Sequence, residues 1–357
     1  MKKIGVIRES YRFDGGGEIQ TVNLLNALGD LSFAPSIFCK DWGAGNELTQ
    51  NYEIRNFPTR NKLGFGEDFF EWALRAAREE CERVHGHDWI PGVDSIRLGD
   101  GLHTKFLNSM SDESIFGRWK NMLPKNTRKI ALEKSTFASS TLSRVMTNSS
   151  MCMEEFEEAY PEVASRVHKQ VVHNPLSEEL LNSLLSTKKP SAHRVILGFV
   201  GSGWKRKGLD ILLQSFARLK PGAFELRIVG QDRHADSYQR FAVRLGCEEN
   251  IHWLGPQNRV FENLSEVDVL IHPARYEPYG NVVTEALSQG CFVICSDRVG
   301  TKEFISSENG RVVSLDIVEL KEAIENLPIH WSKDNCRSSV SHLTYDRYKH
   351  DLEMFFG

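Results

Sequence analysis

The stretch Val269-Leu270-Ile271-His272-Pro273-Ala274-Arg275-Tyr276-Glu277-Pro278-Tyr279-Gly280-Asn281-Val282-Val283-Thr284-Glu285-Ala286-Leu287 decides how this chain is read. An apolar run closed by Pro273 predicts a short buried strand, and the pattern after Gly280 predicts a helix that stops at Gly290. Strand, loop and helix in that order form half of a βαβ unit. With the helix opening near Gly280, Glu277 belongs to the loop over the carboxyl edge of a sheet and Glu285 to the helix behind it. A carboxylate accepts hydrogen bonds from both vicinal hydroxyls of a ribose, and free N–H groups around Asn281, Val282 and Val283 suit a phosphate. Two ordinary acids favoured by the helix dipole are the plainer alternative.

Working outward, residues 195–200, 224–229, 251–254 and 292–295 are apolar runs divided by helical stretches, which predicts a doubly wound parallel sheet. Residues 4–8, 36–40, 52–57 and 142–147 read as strands in a first, looser half, with 95–98 strand-like and 67–84 a long amphipathic helix. Pro175 stops a strand and pushes Asn174 towards an extended backbone. The expected division is therefore 1–173 and 174–339, with a final helix over about 340–357 crossing back to the first domain.

The loop Gly201-Ser202-Gly203-Trp204-Lys205-Arg206-Lys207-Gly208 lies between a predicted strand and a helix beginning near Leu209. Three cations at a helix start are disfavoured by the macrodipole, so a compensating anion is expected, a diphosphate being a natural one. A solvated basic loop is the reading this motif would receive alone. Asp14-Gly15-Gly16-Gly17-Glu18 follows the first strand in the same way, and backbone amides there suit a phosphate; a flexible turn is an equally good reading.

The chain of 357 residues is 40% apolar, enough to fill two cores. A net charge of -4 provides no global positive field for nucleic acid. The apolar start is cut by Arg8 and Glu9 before a signal core forms, and no stretch is long enough to span a bilayer. Seven cysteines without a Cys-x-x-Cys pair, and no histidines clustered at metal spacing, fit reduced thiols and no metal site. Cys291 and Cys295 read as core thiols.

Taken together, the motifs resemble a retaining nucleotide-sugar glycosyltransferase of the GT-B fold, in the family marked by two glutamates separated by seven residues. The resemblance rests on the loop 15–18, Arg206-Lys207, Glu277 with Glu285, and the returning C-terminal helix. Pro91-Gly92-Val93-Asp94 through Asp100, Glu133-Lys134-Ser135-Thr136-Phe137 and residues 201–210 are similar to the lipopolysaccharide core glucosyltransferase I group. That resemblance implies two Rossmann-like domains facing across a cleft. It also implies transfer of glucose from UDP-glucose to a heptose of a lipid-linked core, on the cytoplasmic face of the inner membrane. Because Arg206, Lys207 and helix N-termini can supply the positive charge, no essential metal or other cofactor is expected.

By position, the resemblance puts Gly16 and Gly17 near the diphosphate and Arg206 and Lys207 as its neutralising cations. Glu277 would touch the donor hexose and Glu285 the ribose, while the backbone over 280–283 would bracket sugar and phosphate and the base would sit near Gly230 and Arg259. In the first domain Asp100 is the favoured catalytic candidate, with a turn aspartate as its structural alternative. His103 reads as a packing or surface histidine. Lys105 to Arg144 is rich in basic residues, with Phe116, Trp119 and Met122 among Arg118, Lys120, Lys125, Arg128 and Lys129; it reads either as a patch for an anionic membrane or as an exposed basic helix.

Two rivals remain: a nucleotide-sugar epimerase of the same architecture, and a non-catalytic module that binds the nucleotide sugar. A Rossmann dehydrogenase fails for want of the glycine fingerprint and its following acid.

Overall fold

Alternation of short apolar runs with amphipathic stretches builds two parallel sheets flanked by helices. The computed structural model describes residues 1–9, 16–40, 42, 52–58, 68–111, 123–182, 194–257 and 266–357. The chain divides into two units, Met1–Asn174 with Asp346–Gly357, and Pro175–Tyr345.

The first unit holds strands β1 (Lys3–Ile7), β2 (Ala34–Cys39), β3 (Glu53–Asn56), β4 (Arg83–Gly86), β5 (Ser95–Leu98), β6 (Arg144–Thr147) and β7 (His168–Val171), in the order β3-β2-β1-β4-β5-β6-β7. The second holds β8 (Val195–Val200), β9 (Phe224–Val229), β10 (Ile251–Gly255), β11 (Val269–His272), β12 (Phe292–Ser296) and β13 (Gly310–Val313), in the order β10-β9-β8-β11-β12-β13. Every ladder is parallel, with registers such as Ile4↔Pro35 and Ile271↔Ile294. Strand order reverses between β1 and β4 in one sheet and between β8 and β11 in the other. Loops leaving the carboxyl ends on either side of such a reversal diverge and open a crevice.

Alternate residues of the second sheet serve opposite faces. Leu197, Phe199, Ile271 and Ile294 enter one buried cluster, while Val200, Leu270, Val293 and Cys295 enter the other with Val283 and Ala286 of the Asn281–Ser288 helix. Burial pushes the Cys291 and Cys295 thiols up to about 12, which keeps them protonated packing groups.

The structure departs from the sequence reading in several places. The helix expected over 67–84 is Phe69–Glu80, its start capped by Asp68 accepting from the Phe70 amide at 3.0 Å, and Arg83–Gly86 is a strand. The first helix begins at Gly16 rather than Ile19. The final helix is Tyr345–Phe356, which buries Tyr348, Leu352, Phe355 and Phe356 in the first unit. Arg83 and Arg144 donate to the carbonyls of Phe356 and Phe355, holding its C-terminal turn. No helix among the described residues is long and apolar enough to cross a membrane.

Candidate functional site

The β8 and β11 loops flank the strand reversal of the second sheet, and their backbones touch. The Arg275 amide donates to the Arg206 carbonyl at 2.7 Å. Gly208, at φ 78° and the N-terminus of the Leu209–Phe216 helix, makes that contact possible: a Cβ there would lie 1.8 Å from the Pro273 carbonyl oxygen. Arg275 seals the pair of loops through both guanidinium nitrogens to Asp210, at 2.8 Å each, and through the Lys205 carbonyl.

This brings the cations to the acids. Arg206 Nη1 meets Glu277 Oε2 at 2.7 Å and the Tyr276 carbonyl at 3.1 Å. Lys207 Nζ lies 3.8 Å and His272 Nε2 3.6 Å from the same carboxylate oxygen, both beyond hydrogen-bond length. The Glu277 backbone is clamped between the Arg298 carbonyl and the Gly300 amide, at 3.1 and 2.9 Å, so the loop cannot wander. Burial opposes ionisation of Glu277, but Lys207, Arg206 and His272 outweigh it and hold its carboxyl well below the ordinary range. Burial lowers Lys207, while Glu277 draws it back up and Arg206 pushes it further down; Glu285 adds a smaller pull upward.

Glu285 is raised by its burial, with Lys207 pulling it down again. Lys207 therefore feels the charge of both glutamates. The compensating anion expected for the basic loop is, in the first instance, Glu277. The Asn281–Ser288 helix starts at Gly280 with no side-chain cap and no acid in its first turn, which leaves positive potential where Glu277 and Lys207 converge. The Val283 amide donates to the Gly280 carbonyl at 2.9 Å, and Val282 and Val283 bury their side chains in the core. Asn281 is half-buried at the helix start.

Sequence reasoning missed His272 in this cluster. It is fully buried at the end of β11, and neither ring nitrogen has a hydrogen-bond partner among the described residues. Burial pushes its pKa down, Glu277 acting against that. Its sequence signal is a histidine where the run Val269-Leu270-Ile271 would continue as core. Gly230 follows β9, its amide donating to the Gly255 carbonyl at 2.8 Å; Arg259 lies outside the described residues.

The other expected residues belong to the first unit. Gly16 and Gly17 open the Gly16–Asp30 helix, and Gly15 lies outside the described residues. Asp100 is exposed in the turn after β5, and His103 opens the His103–Met110 helix, stacked on Phe106. Both line a cavity of about 800 Å³ at the reversal between β1 and β4. Burial and Lys129 lower the His103 pKa. Glu133, fully buried, fixes this helix start by accepting from the His103 amide at 2.6 Å and the Thr104 hydroxyl at 2.9 Å. His87 and Asp88, at the end of β4, line the same cavity and were also missed.

Lys105 pairs with Glu158, Arg128 pairs with Asp68 at 2.6 Å, and Arg144 serves the final helix. Phe116, Arg118, Trp119, Lys120 and Met122 lie outside the described residues. No group of three or more histidine, cysteine, aspartate or glutamate side chains placed for a metal occurs among the described residues.

Residues 194–328 match the family described as glycosyl transferases group 1. The lipopolysaccharide glucosyltransferase WaaG of Escherichia coli K12 is 23% identical over 295 residues, covering 78% of this chain and 76% of that protein. The crystal structure of WaaG, a glycosyltransferase involved in lipopolysaccharide biosynthesis, superposes with a TM-score of 0.80 at 20% identity, over 99% of this chain and 100% of that one. Anabaena HepE in complex with UDP-glucose gives 0.72 at 16% identity, over 100% and 99%.

Proposed function

We propose, on the premise that this chain is a glycosyltransferase, that it moves a hexose from a nucleoside diphosphate sugar onto a saccharide of the lipopolysaccharide core. UDP-glucose is the donor in this reading, and a heptose of the core the acceptor. The observation that carries it is the meeting of Arg206, Lys207 and Glu277 beside the uncapped start of the Asn281–Ser288 helix, which carries Glu285, in the second unit. The likeness to a lipopolysaccharide glucosyltransferase and to a fold solved with UDP-glucose supports the choice of donor and acceptor.

In this proposal Arg206, Lys207 and the amides near Asn281 face the diphosphate, Glu277 the hexose and Glu285 the ribose hydroxyls. Gly16 and Gly17 of the first unit keep the phosphate-binding role proposed for them from the sequence, and Asp100 is that unit's catalytic candidate. The anomeric carbon–oxygen bond to the diphosphate breaks and a bond to the acceptor oxygen forms on the same face. The acceptor's proton passes to the departing phosphate oxygen, so configuration is retained without a protein nucleophile. Charge grows on the diphosphate as it leaves, and fixed cations in a half-buried site stabilise that charge without reorganising.

No essential metal is required in this reading, since the cations supply the positive charge; activity abolished by a chelator and restored by magnesium would overturn that part. Residues 105–144 are proposed to rest on the anionic inner face of the cytoplasmic membrane, with salt-insensitive or absent co-sedimentation with anionic vesicles as the contrary result. For the donor, melting is followed against a panel of nucleotide sugars. UDP-glucose should raise the melting temperature, because a ligand that binds only the native state stabilises it. Absence of any shift, together with no glucose transfer to a heptose-bearing core acceptor, would sink the proposal.

A further inference from the structure

We infer that His272 is a positioning residue for the transfer reaction. When the donor's diphosphate draws Arg206 and Lys207 away from Glu277, the His272 imidazole donates its Nε2–H to Glu277 in their place and keeps that carboxylate aimed at the hexose. The inference rests on the proposed donor reading, in which both cations and Glu277 meet the nucleotide sugar.

The strand around His272 asks for a core residue. Val269, Leu270 and Ile271 are fully buried, and side chains alternate between faces along a strand. His272 thus shares its face with Leu270, which joins Val283 and Ala286 of the Asn281–Ser288 helix in one buried cluster. The ladder position opposite Cys295 fixes the backbone beneath the ring, as does the His272 carbonyl, which accepts from the Ala274 amide at 2.9 Å. An aliphatic side chain would fill such a place with no polar atom to satisfy. His272 instead buries two ring nitrogens, neither with a hydrogen-bond partner among the described residues. A polar atom left unmatched in a core destabilises the free chain, which points to a partner in another state of the site.

Glu277 is that partner. Its Oε2 lies 3.6 Å from His272 Nε2, beyond hydrogen-bond length, while Arg206 holds the same oxygen at 2.7 Å and Lys207 stands 3.8 Å away. A diphosphate carries more negative charge than one carboxylate and takes charge-assisted hydrogen bonds from both cations, which leaves Oε2 short of donors. Contacts of this kind are often long in a free enzyme and tighten once substrate binds. The Glu277 backbone is clamped at Arg298 and Gly300, so a small turn of its side chain alone closes the gap. Arg206 is 31% exposed and within reach of a ligand, whereas His272 is fully enclosed and acts only through Glu277. Burial favours the neutral ring, with Glu277 acting against it. Beside a carboxylate, a neutral ring carries its proton on Nε2, because a lone pair there would meet the carboxylate's own.

The test follows His272→Met and His272→Gln in the full chain, with UDP-glucose binding, thermal unfolding and transfer to the heptose-bearing core acceptor measured for each. The methionine variant fills the site without a donor. Its melting temperature should equal or exceed that of wild type, while kcat falls about tenfold and KM for UDP-glucose moves less than about twofold. The glutamine variant returns an N–H near the Nε2 position and should recover most of the rate. In wild type, the Nε2–H proton resonance of His272 should become slow to exchange on saturation with UDP-glucose and be absent from the spectrum of the free chain. A methionine variant with wild-type kcat and UDP-glucose still bound overturns the inference and leaves the donor assignment standing. A fall in melting temperature that accounts for the whole loss of activity, unrelieved by glutamine, also overturns it and makes His272 a packing residue. If wild type binds no UDP-glucose, the donor assignment goes and this inference goes with it.

Discussion

Lys207 Nζ occupies the space that a side chain on Gly201 would need: a Cβ built there would lie 2.3 Å from it. Gly201 also holds φ at 126°, a conformation that side-chain-bearing residues rarely adopt. The smallest residue at the end of β8 therefore sets where the site's most buried cation can stand. Gly201→Ala is expected to destabilise the chain by about 1–3 kcal/mol through backbone strain alone. It should also weaken UDP-glucose binding by displacing Lys207. Calorimetric titration on the folded variant checks this, and unchanged affinity would show that Lys207 does not position the donor.

Lys207→Ala itself is expected to reduce turnover on the order of 100- to 1,000-fold, the effect of removing one fixed donor from a developing anion. The effect should fall on kcat more than on KM, because charge on the diphosphate is greatest as it departs. Steady-state kinetics with the circular dichroism spectrum as a folding control decide the matter.

Glu277 gives a prediction with a defined pH window. Its carboxyl is held below the unfolded value of about 4.3, so its contribution to stability is fully present above that value and is lost as pH falls through it towards the depressed folded value. Glu277→Gln leaves Arg206 and Lys207 without their shared partner and should cost about 3 kcal/mol near neutrality. The gap between wild type and variant should stay constant above about pH 5 and narrow on acidification. Urea unfolding at a series of pH values measures it, and a gap that widened in acid would contradict the ion-pair account.

How much of this was written plainly in the sequence varies with the kind of interaction. The α/β class was legible because runs such as 195–200 and 292–295 are long, apolar and bounded by breakers. Strand β4 was not: Arg83-Val84-His85-Gly86 follows its helix with neither glycine nor proline between them, and His85 reads as polar although burial pushes its pKa down to about 3. Strand β13, Gly310–Val313, is too short to show alternation. Within the site, Glu277 and Glu285 announced themselves by spacing along one segment. The Arg275–Asp210 clamp had no such signal, since its partners are 65 residues apart and only the fold introduces them. His272 and His87 were overlooked because a lone histidine at a strand end resembles any core residue until its neighbours are known.

Phe355→Ala is expected to cost about 3–5 kcal/mol, the usual penalty for emptying a buried aromatic site. The loss should appear in thermal unfolding of the first unit, where His85 packs edge-on against that ring at 6.2 Å. A melting temperature within a degree of wild type would mean the final helix adds little to that core.

That same helix has a consequence for biosynthesis. Residues 346–357 complete the core of the first unit, yet in a chain made from the amino end they leave the ribosome after all of Pro175–Tyr345. The continuous unit can reach its native packing during translation. The interrupted one must wait, its groove for Phe355 and Phe356 open, until the last dozen of these residues arrive. Slowed translation or a stall before Tyr345 would thus leave an apolar seat exposed to chaperones and to aggregation.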